Sequence, residues 1–218
     1  MANYPYIVGI AGGSASGKTS FLNDLCESLP TGSISIISQD NYYHPKELQL
    51  CDDQGEINFD LPDSINREDF AADLNKLISG HAIERTEYGF NNEGHDAATV
   101  RVEPAPIIVM EGLFVFYYAE ICDLLDLKVY IDVREEVKLK RRILRDALER
   151  GYNEDTVRYQ WQNHVMPSYN KFLRPYRDTA DIIITNNTHY RPGMQVLVNH
   201  FQAILESLRV EQPVAVNS

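Results

Sequence analysis

Cysteine is scarce in this chain. The three that occur, Cys26, Cys51 and Cys122, are odd in number and far apart. That spacing argues against a disulfide framework and against a cysteine zinc site, and it suits a reducing cytoplasm. Long apolar runs are missing too: no stretch approaches the ~18 residues of a membrane-spanning helix. The start, "MANYPYIVGIAGG", has neither a basic region nor a cleavage-like site, so export and membrane insertion are not expected. Positive charge is in deficit, with 20 Lys and Arg against 32 Asp and Glu and a formal charge of −12. Such a surface disfavours nonspecific contact with nucleic acid or anionic lipid. Internal repeats and low-complexity linkers are absent. So is the guanine-reading pattern N-K-x-D that would mark a GTPase-like switch.

What is present is an alternation. Apolar, β-rich runs stand at 6–10, 33–38, 106–112, 127–133 and 180–185, continuous as in strands buried on both faces of a parallel sheet. Helical periodicity fills the gaps at 18–29, 67–79, about 117–125, 134–149, about 153–172 and 194–208. In the 153–172 stretch Val157, Trp161, Val165 and Phe172 read as core contacts, with a kink expected at Pro167. Strand–helix alternation predicts an α/β fold with a doubly wound parallel sheet, one domain over 1–218 with a frayed tail from 210. Two stretches interrupt it. Residues 41–66 are polar and turn-rich, and 81–103 suggest a β-hairpin. Both fall between the second and third core strands, which points to a substrate-side cap or to a surface excursion.

The first strand runs into "GGSASGKTS", and an amphipathic helix follows with Leu22, Leu25, Cys26 and Leu29 at helical spacing. This is the strand–loop–helix context of a phosphate-binding loop, G-x-x-x-x-G-K-T, made of Gly12, Gly13, Ser14, Ala15, Ser16, Gly17, Lys18, Thr19 and Ser20. Glycine lets the backbone turn its N–H groups onto phosphate oxygens, and the following helix adds its positive end. Lys18 is expected to reach the β and γ phosphates, and the Thr19 hydroxyl to ligate Mg²⁺.

Ligands of parallel sheets sit beyond the carboxyl ends of the strands. Asp40 follows the second strand and Glu111 follows the third, on the same edge as the loop. One carboxylate suits Mg²⁺ and the other suits a proton taken from an attacking hydroxyl. A concentration of Lys138, Lys140, Arg141, Arg142, Arg145 and Arg150 reads either as a solvated helix face or as a lid over the polyphosphate.

Taken together, "GGSASGKTS", "SQDNYY", "NFDLPDS", "VMEGLFVFY", "RRILRDALERG" and "ADIII" resemble, in order and spacing, the uridine–cytidine kinase family and its phosphoribulokinase relatives, over about 6–185. The resemblance implies a P-loop NTPase-type fold with a β-hairpin substrate cap and a helical lid over about 134–160. It implies transfer of the γ-phosphoryl of ATP or GTP, with Mg²⁺, to the 5′-hydroxyl of uridine or cytidine, in pyrimidine salvage. Asp40 then matches the catalytic base and shares the metal with Thr19 and Glu111. Tyr43, Tyr88 and Phe90 match aromatics beside the nucleoside, and Asp60 the carboxylate on the ribose diol. Arg142, Arg145 and Arg150 match lid and substrate-side arginines, and Gln160 a polar contact. A homotetramer is also implied. The chain departs from the family's hairpin pattern in "TEYGFNNEGHD": Glu93 stands where the base-reading histidine belongs and His95 comes two residues late. Tyr152 replaces an arginine after "ERG". Phosphate handling is expected to be intact, with base reading by His95 or by Glu93.

Overall fold

The computed structural model describes residues 4–88 and 98–210. In chain order the elements are β1 (Tyr6–Ala11), α1 (Lys18–Glu27), β2 (Ile34–Ser38), α2 (Arg67–Ile78), β3 (Ile83–Thr86), β4 (Thr99–Val102), β5 (Ile107–Gly112), α3 (Ala119–Cys122), β6 (Leu127–Asp132), α4 (Glu135–Glu149), α5 (Glu154–Gln160), α6 (Met166–Ser168), α7 (Arg174–Arg177), β7 (Ile182–Thr185) and α8 (Arg191–Val210). Five strands form one parallel sheet in the order β2-β5-β1-β6-β7. The remaining pair, β3 and β4, is the antiparallel hairpin expected between β2 and β5.

Both faces of the sheet are covered, which is why its strands read as unbroken apolar runs. Val8, Ile10, Val109 and Val129 face α1 and α8 through Phe21, Leu25, Leu197 and Phe201. Ile7, Ile108, Met110 and Tyr130 face the other way, onto Phe70 and Leu74 of α2. Phe21 and Phe70 are completely buried, and each such side chain contributes about 1.5–3 kcal/mol of transfer free energy. The helix behind the phosphate loop is therefore pinned to the sheet within one turn of the loop itself.

Three expectations shift. The helix foreseen over 117–125 shrinks to the single turn α3, because Tyr118 is extended and its hydroxyl donates to Pro62 O at 2.7 Å. Helix α8 starts at Arg191 rather than 194, since Pro192 in a first turn sacrifices an N–H that has no partner there anyway. The 153–172 helix runs on as a composite through α5, α6 and α7, with π-helical stretches at Trp161–Val165 and Tyr169–Leu173 on either side of Pro167. Widened turns thus accommodate the proline. Val157, Trp161 and Val165 are buried as expected, whereas Phe172 is half-buried and Leu173 takes the core position. The cysteines are all free.

Candidate active site

The loop between β1 and α1 is shaped by two residues with positive φ, Ala15 at 58° and Gly17 at 89°. Left-handed residues alternating with right-handed ones curl successive N–H groups into an anion-binding nest. Gly17 cannot be replaced cheaply, because a Cβ there would lie 2.6 Å from Asn186 Nδ2. That amide donates to Ser16 O at 2.8 Å and so buttresses the loop from the end of β7. Helix α1 begins with no capping side chain and no acidic residue in its first turn. By contrast, Asn66 caps α2 and Asn153 caps α5, each followed by acidic residues. Only α1 of these three leaves its first N–H donors and its positive end for an anion. The Ser16 hydroxyl is buried with no hydrogen-bond partner, and Lys18 Nζ folds back onto Gly12 O at 3.0 Å. A phosphate would give both groups a partner.

The carboxylates stand where the strand ends deliver them. Ser38 Oγ donates to Glu111 Oε1 at 2.5 Å, joining β2 to β5. Gln39 is buried and its Oε1 accepts from Phe114 N at 2.8 Å, in space that only a glycine at 112 leaves free. The polar "SQD" and "MEG" segments thus lock each other at the sheet edge. Asp40 lines the cleft and is reached by solvent, yet protein surrounds it on most sides. Desolvation raises its pKa, and the charges of Lys18, Arg150 and Arg145 pull it partly back. Burial also raises Glu111, with the neighbouring charge of Asp40 adding to the effect. Among the described residues no cluster of three or more His, Cys, Asp or Glu forms a complete metal site. Two carboxylates and the Thr19 hydroxyl are an all-oxygen partial set, which suits an ion that takes its other ligands from phosphate and water.

The basic segment divides among several environments instead of presenting one solvated face. Arg142 is 6 % exposed. Its Nη1 donates to Ser14 Oγ at 2.8 Å and its Nη2 to Gln160 Oε1 at 3.2 Å. Arg145, and Arg150 just past the helix end, converge with it on Asp146, at 2.9 Å from Arg145, 3.2 Å from Arg142 and 3.6 Å from Arg150. Asp146 is wholly buried. A single carboxylate thus gathers three guanidiniums over the cleft. Sequence reading missed it, although its position four residues after Arg142 was a legible ion-pair spacing. Lys138 instead lies over the Tyr169 ring at 3.7 Å, with its ammonium beside Gly13 of the loop. Arg141 reaches a second recess of about 360 Å³ beside Gly17 and Ser20, walled by Asn186, His189 and Tyr190.

The main cleft measures about 410 Å³ and brings together Ser14–Ser20, Asp40, Tyr43, Asp60, Glu111, Arg142, Arg145, Arg150 and Gln160. Ile57, Phe59, Leu113, Tyr152 and His164 complete its far side. Asp60 is held by Arg142 at 4.0 Å and by the Ser168 hydroxyl on its backbone carbonyl. Tyr43 packs against Phe59 and Tyr88 with ring centroids 5.8 and 5.2 Å away. Burial raises the Tyr43 phenol well above its ordinary range, with the charges of Asp40 and Asp60 adding to it. The hairpin is tied down at its base: buried Asp73 accepts from Arg85, from Lys76 at 2.8 Å and from Tyr42 at 3.1 Å. Phe90, Glu93 and His95 lie outside the described residues.

A phosphate nest on a parallel sheet, strand-end carboxylates facing it and an arginine-bearing helix above them define a P-loop kinase. Residues 7–190 match the phosphoribulokinase/uridine kinase family, and the chain belongs to that family. It is similar to the uridine kinase of Lactobacillus helveticus, with 36 % identity over 92 % of this chain and 96 % of the relative. It is also similar to the uridine kinase of Bacillus pumilus, with 35 % identity over 95 % of this chain and 99 % of the relative. In fold alone it resembles the D-glycerate 3-kinase of Cryptococcus neoformans, at a TM-score of 0.55 and 17 % identity over 83 % of this chain and 86 % of that one.

Proposed function

We propose that this protein transfers the γ-phosphoryl of ATP or GTP to the 5′-hydroxyl of uridine or cytidine, giving UMP or CMP for pyrimidine salvage. The observation that carries the reading is the place of Asp40, in the cleft between the phosphate loop and the Tyr43–Phe59–Asp60 side. An acceptor hydroxyl bound there meets a carboxylate on one side and the phosphoryl group on the other. Desolvation by the surrounding protein keeps that carboxylate more basic than an ordinary aspartate, which favours proton abstraction in the transition state.

The remaining roles follow from the same geometry. The nest and Lys18 bind the polyphosphate, and the recess walled by Asn186, His189 and Tyr190 takes the donor base. Thr19, Glu111 and Asp40 would hold Mg²⁺, which when bound neutralises charge on the transferring phosphates. Arg142 and Arg145 sit close together around Asp146, and they neutralise the charge that develops as the phosphoryl group moves. Arg150 and Gln160 face the acceptor. Asp60 accepts from the ribose hydroxyls, with Tyr43 and Tyr88 as its aromatic wall; Phe90 and His95, outside the described residues, are assigned to the base by the family resemblance. We further propose a single kinase domain, a cytoplasmic location and a homotetramer. Among the described residues no helix is long and apolar enough to cross a membrane.

The test is ADP release over a panel of nucleosides and small alcohols, with 2′-deoxynucleosides included. Uridine and cytidine are expected to stimulate release strongly. Deoxynucleosides are expected to be much poorer, because a missing hydroxyl leaves the Asp60 carboxylate unpaired. Stimulation by a sugar phosphate alone, with neither nucleoside active, would overturn the acceptor assignment.

A further inference from the structure

Beyond the residues assigned above, the acceptor side of the cleft holds a histidine with no assigned role. His164 lies on the first π-helical stretch, is 2 % exposed and lines the cleft. Its Nε2 is 2.7 Å from Asp52 Oδ2. The same oxygen accepts from the Tyr159 hydroxyl at 2.6 Å, and the Tyr159 ring meets the imidazole edge-on at 5.8 Å. The other oxygen, Oδ1, accepts from Gln54 N and Glu56 N, each at 2.9 Å. Both oxygens of Asp52 are therefore engaged by donors. The hydrogen bonds from Tyr159 and His164 hold its carboxyl below the usual carboxylate range.

An ionised carboxylate can only accept, so the proton on this edge of the ring must sit on Nε2. In the neutral imidazole Nδ1 then keeps its lone pair. Among the described residues no protein donor reaches Nδ1, since the hydrogen bond to Asp52 is the one His164 makes. Nδ1 is not one of the fully buried side-chain atoms without a partner, so it keeps some exposure and a ligand can supply the missing donor. Asp52 does not line the cleft, whereas His164 does, and the cleft is the open space from which a donor can approach the ring.

We propose that His164 accepts a hydrogen bond from the bound acceptor molecule, held in that tautomer and orientation by Asp52 and Tyr159. The inference rests on the reading of this side of the cleft as the nucleoside site. Its ligand chemistry is an N–H or O–H donor, either the N3–H of a uracil base or a ribose hydroxyl. The arrangement also ties the 41–66 insertion to the helical arm. Asp52 is thereby a positioning residue and His164 a specificity-determining one.

The experiment is steady-state kinetics of His164→Phe, Asp52→Ala and Tyr159→Phe with uridine and ATP varied separately. His164→Phe and Asp52→Ala are expected to raise the uridine KM about tenfold, the worth of one hydrogen bond, with the ATP KM and kcat nearly unchanged. Tyr159→Phe should act more weakly, because the His164–Asp52 pair survives. An unchanged uridine KM, or both KM values rising together, would overturn the proposal. N3-methyluridine and 3′-deoxyuridine separate the two donor sources. The wild-type preference for uridine over one of them should collapse in His164→Phe, and collapse for neither counts against the contact. Should His164→Phe misfold, the ¹⁵N resonances of the wild-type imidazole decide. Nδ1 should be unprotonated and should shift on adding uridine but not on adding an ATP analogue. If the wild-type enzyme turns over no nucleoside at all, the proposed function has failed instead. The same ¹⁵N titration with the alcohol that does react then tests His164, an unmoved Nδ1 overturning its role.

Discussion

The two sides of the cleft are built by different means. On the side proposed for phosphate the binding groups are mostly backbone, contributed by the loop over 12–20 and shaped by the local dihedrals of Ala15 and Gly17. On the acceptor side they are side chains brought together from an insertion, a hairpin and a helical arm. Asp52 and His164, for example, are 112 residues apart in sequence. A backbone cradle recognises what all nucleoside triphosphates share. A wall of side chains can be altered one residue at a time without disturbing the sheet. The division predicts that catalysis fails when the first side or the strand-end carboxylates are touched, whereas selectivity changes when the second is.

The largest effect is expected at Asp40, where the two sides meet. Asp40→Asn should lower kcat about 10²- to 10⁴-fold with little change in nucleoside affinity, measured by turnover and equilibrium binding. Its effect on stability should have the opposite sign. The pKa of Asp40 is raised above the ordinary value of 3.8, so its charge opposes folding once it ionises. The protonated form favours the fold at low pH, and that advantage is lost as pH rises through the folded pKa. Asp40→Asn should therefore melt higher than wild type at neutral pH, and the gap should close in acid. Lys18→Ala comes next, with about 10²- to 10³-fold lost from kcat for a charge aimed at the transferring group. Its circular dichroism should match wild type and its nucleoside affinity should be kept.

Asp146→Ala sharpens the comparison, because it touches neither ligand. Removing the carboxylate takes a shared partner from three guanidiniums, and breaking a buried pair costs about 3–5 kcal/mol. Thermal melting should show that loss, and saturating ATP should restore part of it, since polyphosphate gives the arginines a substitute partner. A variant that ATP does not rescue would show that the lid is organised independently of the donor. The smallest effect belongs to the hairpin base. Burial works against the Asp73 charge, yet hydrogen bonds from Lys76 and Arg85 bring its pKa below the ordinary value. That contribution is complete above the ordinary carboxylate pKa and fades as pH falls through the folded value. The protection of β3 against hydrogen exchange, relative to the intrinsic rate at each pH, should therefore fall in acid before that of the central sheet. Arg85→Ala should bring the same change at neutral pH and raise the nucleoside KM a few-fold, with that for ATP unmoved.

The phosphate side was legible because its information is contiguous. Gly12 to Ser20, the strand before them and the helix after them lie in one window, and Asp40 and Glu111 follow from strand ends. What escaped was contributed from afar. Asn186 supports the loop across 170 residues of sequence, and no pattern near 186 announces it. Asp146 had a local signature in its spacing from Arg142, but burial turned an apparent surface pair into a hub for three arginines. His164 had none. An isolated histidine in a helical pattern carries no sign of which edge of its ring will be engaged. The boundaries of α3 and α8 moved for a similar reason, since Tyr118 is held by Pro62, a residue outside its own window.

The two π-helical stretches of the arm have a consequence for chain length. Such a stretch arises when one residue is inserted into an α-helix without shifting the residues that follow. Excising one residue from Trp161–Val165 or Tyr169–Leu173 can therefore be absorbed by tightening the turn, and Leu173 or Arg174 beyond it keeps its phase. The same excision in α4 has no slack to consume and would swing every later residue through about 100°, carrying Arg142 and Arg145 out of register with the cleft. This protein thus keeps its tolerance for insertion and deletion within a helix, on the arm that carries Gln160 and His164 into the cleft. There a lost or gained residue moves a wall of the pocket and leaves the phosphate cradle as it was.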